Sequence, residues 1–107
     1  MMIQEWIGKV VEVVMDRPQG TKHPHFGFKY PVNYGFLPGT LAPDGEEIDA
    51  YVLGVTRPLK RFTGRVIAVM HRHDDDDDKL VVVPDGLTLT DEQIERRRSF
   101  RNSFLSR

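Results

Sequence analysis

Valine and isoleucine fall along this chain in short runs separated by proline, glycine and charge. "WIGKVVEVVM" (6–15) reads as a strand. "DRPQG" (16–20) is a turn, and "FGFKY" (26–30) a short aromatic strand. "PVNYGFLPGTLAPDG" (31–45) is punctuated by proline and glycine throughout, which predicts an irregular surface stretch. "IDAYVLGV" (48–55) is a strand with an apolar core, and "RPLKRFTG" (57–64) a loop. "RVIAVMH" (65–71) and "KLVVVP" (79–84) are strands joined by five consecutive aspartates, Asp74 to Asp78. The last element predicted is a helix. Thr90 is placed to cap it, with Gln93 three residues on to complete a capping box. Asp91 and Glu92 favour its start and the later arginines its end. Ile94, Phe100, Phe104 and Leu105 would share its apolar face. About five short strands followed by one helix predict a mainly β (α+β) fold: a single domain over 1–107, a small β-barrel with a C-terminal helix packed on it.

The composition fits an ordinary globular domain, with 39% hydrophobic and 29% charged residues among 107. No stretch of eighteen apolar residues suggests a membrane span. The first strand-like segment carries Glu5, Lys9 and Glu12, which argues against a signal peptide. The absence of cysteine removes disulfides and thiolate metal sites, and a cytoplasmic location is the expectation. The net charge of −1 hides a concentration of acid: without Asp74–Asp78, fifteen basic residues face eleven acidic ones. The arginines of "ERRRSFRNSFLSR" are read as the solvated face of the helix.

So dense a run of aspartates repels itself, and a bound cation is one way to offset the repulsion. A second acidic cluster, Asp44, Glu46, Glu47 and Asp49, closes the long loop over 31–47. Carboxylates from both clusters could face one cavity at the mouth of a barrel. Clustered oxygen donors suit Mg²⁺, a small hard cation that keeps part of its water. Two His-x-His pairs, His23/His25 and His71/His73, offer imidazoles as well, but the surrounding acids favour a hard cation.

These stretches carry a resemblance. "YPVNYGFLPGTLAPDGEEIDAYVLG" followed by "DDDDDKLVVVP" resembles the soluble family I inorganic pyrophosphatases over residues 30–84. Their signature is Asp, a small or polar residue, Asp, Pro or Glu, an apolar residue, and Asp. Here it is met by Asp44, Gly45, Glu46, Glu47, Ile48 and Asp49, with glutamate in place of aspartate at the third position. The resemblance implies a five-stranded barrel of the OB type and Mg²⁺-dependent hydrolysis of diphosphate to two phosphates. It implies that Asp44 and Asp49 are metal ligands, with Asp77 and Asp74 (or Asp75) from the second cluster. It places Glu46 at the metal and attacking water, Lys79 on a phosphate, Tyr30 and Tyr34 on the phosphate side, and Asn33 beside the site.

Two further departures accompany Glu46. The segment between Glu12 and Tyr30 is too short for the family's hairpin of phosphate-contacting residues, leaving Arg17 and Lys22 as candidates to take its place. The family's C-terminal Tyr-Lys pair has no counterpart. The leading expectation is a diphosphatase using Mg²⁺, with Mn²⁺ as a substitute. Catalysis is expected to rest on Glu46, Lys79 and Tyr34, and substrate binding on Tyr30, Tyr34, Asn33, Lys79, Arg17 and Lys22. The runner-up is a trimmed site that binds metal and a phosphate compound or nucleotide without efficient turnover. A nucleic-acid-binding OB barrel comes third, because the aspartate run opposes a strand-tracking groove. The partner expected is a small phosphoanhydride, with no membrane and with self-association left open.

Overall fold

A computed structural model of the chain describes residues 2–25, 27, 29–42, 45–72, 78–97 and 103–107. A short 3₁₀ turn, Ile3–Trp6, leads into β1 (Val10–Arg17). There follow β2 (Asn33–Leu37), β3 (Ile48–Val52), β4 (Arg61–Arg72), β5 (Lys79–Val83), helix α1 (Asp91–Arg97) and β6 (Ser103–Ser106). The strands pair in the order β1-β2-β3-β5-β4, and β1 also pairs with β4, so the five close into a barrel. β3 and β5 run parallel and the other neighbours antiparallel. β4 is long enough to hold β1 near its start and β6 near its end.

The alternation of side chains along each strand divides the molecule into an inside and an outside. Val11, Val13, Leu37, Ile48, Ala50, Val52, Val66, Val69, Leu80 and Val82 fill the barrel. Tyr51, Leu53, Ala68, Met70, Val81 and Val83 point outward, and Leu89 and Ile94 pack against them from the helical segment. A register shift between Val66 and Ala68 re-phases β4 midway, so that Val69 points inward and Met70 outward. Two glycines allow the closest approaches of strand to strand. A Cβ on Gly35 would stand 2.0 Å from the Val14 carbonyl oxygen, and one on Gly64 2.4 Å from that of Val83. The Thr90/Gln93 capping box forms as the sequence predicts: Gln93 N–H donates to Thr90 Oγ1 at 3.2 Å, and Thr90 N–H to Gln93 Oε1 at 2.8 Å.

The barrel and its helix agree with the sequence reading, and five details differ. Residues 33–37, read as irregular, form β2, and the supposed loop at 61–64 is the start of β4. The first strand begins at Val10, not Trp6. The aromatic strand expected at 26–30 is reduced, among the described residues, to an isolated bridge between Lys22 and Lys29. Phe104 and Leu105 lie on β6, so the helix is not the last element; Leu105 still packs on the outer core. Phe100 lies outside the described residues.

Candidate functional site

The outer face of β2, β3 and β5 carries the polar residues that the sequence singles out. Strand register places them in two rows. Arg17, Tyr34, Tyr51 and Val81 are successive cross-strand partners. Phe36, Asp49 and Lys79 form the next row, two residues along each strand. β3 therefore presents Asp49 and Tyr51 to the same side while Ile48, Ala50 and Val52 enter the barrel.

Lys79 is the centre of this face. It is only 5% exposed, far below an ordinary surface lysine. Its ammonium donates to Tyr34 Oη at 3.0 Å and to Asp49 Oδ2 at 3.3 Å, and lies 5.2 Å from the centre of the Tyr34 ring. Such a cation loses water on folding and is retained only with its charge matched. Asp49 supplies that charge and is the more open partner, its side chain 27% exposed against 7% for Lys79. Tyr34 also packs on Tyr51, with ring centres 5.0 Å apart, and stacks beside Tyr30 at 6.2 Å. The column continues from Tyr30 to His23 at 6.0 Å. Tyr51 is a member of the site that the sequence reading passed over; its place two residues after Asp49 on a strand was the available signal.

The loop feeding β3 is tied at both ends. Thr40 Oγ1 donates to the Leu37 carbonyl at 2.7 Å and accepts from Ile48 N–H at 3.0 Å. Glu47 accepts from Gly39 N–H at 3.2 Å, so its carboxylate helps close the loop. Gly45 turns the chain at φ 88°, a conformation that glycine adopts without strain. Glu46 follows it, exposed, with its carbonyl accepting from Ala42 N–H at 2.7 Å. Asp44, Asp74, Asp75 and Asp77 lie outside the described residues.

Asn33 is completely buried. Its Oδ1 accepts from the N–H groups of Gln19 and Leu59, and its Nδ2 donates to the Arg57 carbonyl. The amide thus ties two loops to the start of β2, and its polar atoms face backbone. These bonds hold the start of β2, the strand on which Tyr34 rides. Arg17 lies opposite Tyr34 in the β1–β2 register, and its guanidinium donates to the Asp16 carbonyl at 3.2 Å. Lys22 is exposed on the neighbouring turn, whose limbs are joined by Tyr30 N–H to the Thr21 carbonyl and Gly20 N–H to the Tyr30 carbonyl. The second histidine pair is divided in use: His71 is buried among side chains, and His73 lies outside the described residues.

The donor set has the chemistry of a hard-cation site, since the side chains offered by Asp49, Glu46 and Tyr34 present oxygen. Among the described residues no three carboxylates or imidazoles converge on one point.

The family model for inorganic pyrophosphatase matches residues 10–106. An inorganic pyrophosphatase of Haemophilus influenzae is 43% identical over 86 residues, covering 75% of this chain and 45% of that protein. One from Mesorhizobium japonicum is 36% identical over 97 residues, covering 81% and 54%. This chain thus spans about half the length of the curated relatives it matches. Among solved structures, an inorganic pyrophosphatase from Neisseria gonorrhoeae superposes with a TM-score of 0.61 at 26% identity, covering 84% of this chain and 70% of that one. That of Helicobacter pylori gives 0.64 at 20% identity over 91% and 81%, a likeness of fold. With a family match that runs from β1 to β6 and a barrel shared with these structures, the chain belongs to the inorganic pyrophosphatase family.

Proposed function

We propose that this chain hydrolyses diphosphate to two phosphates with Mg²⁺, and that the outer face of β2, β3 and β5 is its active site. The observation that carries the reading is the Lys79–Asp49–Tyr34 constellation, a nearly buried ammonium matched to one carboxylate and one phenol. Mg²⁺ would be held by Asp49 with Asp44, Asp74 and Asp77, and when bound it supplies neutralisation of the diphosphate and a more acidic water. Glu46, exposed on the loop feeding β3, orients the attacking water and takes its proton on a carboxylate oxygen. As the water oxygen bonds to one phosphorus, the bridging P–O bond breaks and its electrons leave with the second phosphate. Lys79 and Tyr34 stand on the side where that charge collects, and positive charge fixed in a partly dry site stabilises it more than water does. Tyr30, Arg17 and Lys22 line the approach for the phosphate groups. Asn33 fixes the start of β2 and so acts through Tyr34.

Phosphate release from diphosphate, measured with and without Mg²⁺ and against nucleoside di- and triphosphates, tests the reading. Mg²⁺-dependent release from diphosphate is expected. Metal-dependent release from nucleotides alone would move the assignment to a nucleotide hydrolase. Tight phosphate-compound binding with no release would leave a binding domain.

A further inference from the structure

His71 is buried, 9% exposed, and the proposed reaction does not use it. It nevertheless joins three segments. Its Nδ1 lies 3.0 Å from Asp78 Oδ1 and its Nε2 2.7 Å from Ser106 Oγ, while its ring stacks on Phe104 with centres 4.8 Å apart. The contacts follow from strand geometry. After the register shift of β4, Val69 and His71 share the inner side, opposite Ser106 and Phe104 in the β4–β6 pairing. On β5, Leu80 points inward and Lys79 outward, so Asp78 precedes Lys79 on the inner side.

We infer that His71 is a positioning residue for the active site: by holding Asp78 on the inner side, it fixes the phase in which the chain enters β5 and so directs Lys79 to Asp49 and Tyr34. This rests on the proposed role of the outer face. Adjacent residues of an extended chain point to opposite sides, and a slip of one residue exchanges them. Five consecutive aspartates offer the chain little to choose between neighbouring registers: any of them could meet the imidazole, and their mutual repulsion favours loosening. The partly buried bond from His71 to Asp78 selects one register. The adjoining Lys79 is a cation at 5% exposure, which a slip would turn towards the barrel interior. Asp78 is then committed to the protein rather than to a cation.

The test separates the two ring nitrogens. In His71→Asn the amide nitrogen falls near the Nδ1 position and can still hold Asp78, whereas in His71→Gln it falls nearer Nε2 and serves Ser106. Reaction of each folded protein with an amine-modifying reagent, followed by mass spectrometry at each lysine, reads the exposure of Lys79 with no need of metal or turnover. Modification of Lys79 is expected to rise at least about fivefold in His71→Gln and in Asp78→Ala, and less than about twofold in His71→Asn and Ser106→Ala, with Lys9 and Lys60 unchanged as internal references. Such differences correspond to about 1 kcal/mol in the local opening equilibrium. Equal labelling of Lys79 in the Asn and Gln variants would overturn the inference and leave His71 a general packing residue. Diphosphate hydrolysis by the same variants is expected to lose kcat in the order of labelling, with KM changed less. If the unmodified chain hydrolyses no diphosphate, the proposed function fails while the labelling still decides the role of His71.

Discussion

β5 begins and ends at an ion pair, and the two pairs are opposites. At its start, Lys79 meets Asp49 at 3.3 Å, with side-chain exposures of 7% and 27%. Just beyond its end, Asp85 meets Arg65 at 2.8 Å, with 63% and 41% exposed. The shorter bond is the wetter one. Exposed pairs contribute little, because water competes for both charges and salt screens them. A covered pair gives up hydration that its own attraction hardly restores, so stability alone is a poor reason to keep one. Arg65 has a fold to hold: besides Asp85 it donates to the Gly8 carbonyl, joining the entry of β1 to the turn after β5. Lys79 has Tyr34 and Asp49, both on the face that bears the other candidate residues. The length of an ion pair thus says less about its purpose than what surrounds it.

The largest effect is expected from neutralising the acid of the covered pair. Asp49→Asn keeps the side chain's size but leaves Lys79 facing a neutral group, and it removes a proposed cation ligand. Hydrolysis of diphosphate is expected to fall by at least about 10²-fold, the scale of losing one fixed charge from a reacting centre. Unfolding by urea should show a loss of about 1–2 kcal/mol, below the cost of orphaning a fully dry charge because Asp49 is partly open and asparagine still accepts a hydrogen bond. Wild-type turnover in this variant would remove the outer face from the reaction.

Lys79→Met removes the cation and keeps an unbranched chain of similar bulk. Activity is expected to fall about 10²-fold. Stability should stay within about 1 kcal/mol of the parent or rise, since Asp49 can turn to water and the methionine packs where an ammonium was desolvated. The two variants together separate function from folding: the same ion pair, cut from either side, gives similar losses of rate and unlike changes in unfolding midpoint. Equal destabilisation by both would mean that the pair is chiefly structural.

What the chain discloses before folding differs in the same way. The Thr90/Gln93 box is legible because cap and partner lie three residues apart and bond as the spacing predicts. Lys79, Asp49 and Tyr34 are legible as a set by resemblance, but their convergence depends on a parallel β3–β5 register that no local pattern states. β2 is hidden by its own punctuation. Gly35 reads as a breaker, yet it sits within the strand because β1 passes too close for any side chain. β6 is hidden for the opposite reason, as Phe104 and Leu105 continue a plausible helical spacing but are drawn to the free edge of β4. His71 shows a metal-like spacing with His73, while its partners are Asp78 and, thirty-five residues on, Ser106. Long-range pairing, not propensity, decides these residues.

Glu46, the proposed partner of the attacking water, is exposed and lies on a loop tied down by Thr40 and Glu47. Shortening it by one methylene, Glu46→Asp, draws the carboxylate back by about 1.5 Å, and displacements near 1 Å are costly at a reacting centre. The short segment before Tyr30 is consistent with a site settled around the longer side chain. A several-fold fall in phosphate release, with Mg²⁺ binding unchanged, is the expected outcome. A several-fold rise would show that glutamate marks decay from the family pattern.

The smallest effect is expected at the wet pair. Arg65 holds the Asp85 carboxyl below its ordinary value, first through their hydrogen bond and then through its charge, and Asp85 in turn raises the arginine. For a depressed carboxyl the sign is fixed: its contribution to stability is fully present above the unfolded value, about pH 4, and is lost as pH falls through the lower folded value. The raised arginine loses its contribution only on the far alkaline side, beyond the working range. Asp85→Asn should therefore lower the melting temperature slightly, by about 2 °C, at pH 6 and low salt. That difference should shrink in about 1 M salt, where screening is nearly complete. It should shrink again as pH falls through the lowered value of the folded Asp85 carboxyl, below which wild type and variant are both neutral at this position. Diphosphate hydrolysis should be unchanged throughout, because among the described hydrogen bonds Arg65 and Asp85 reach none of Tyr34, Asp49 and Lys79. A loss of activity in Asp85→Asn would show that the two ends of β5 are coupled and that the wet pair also helps to set the position of Lys79.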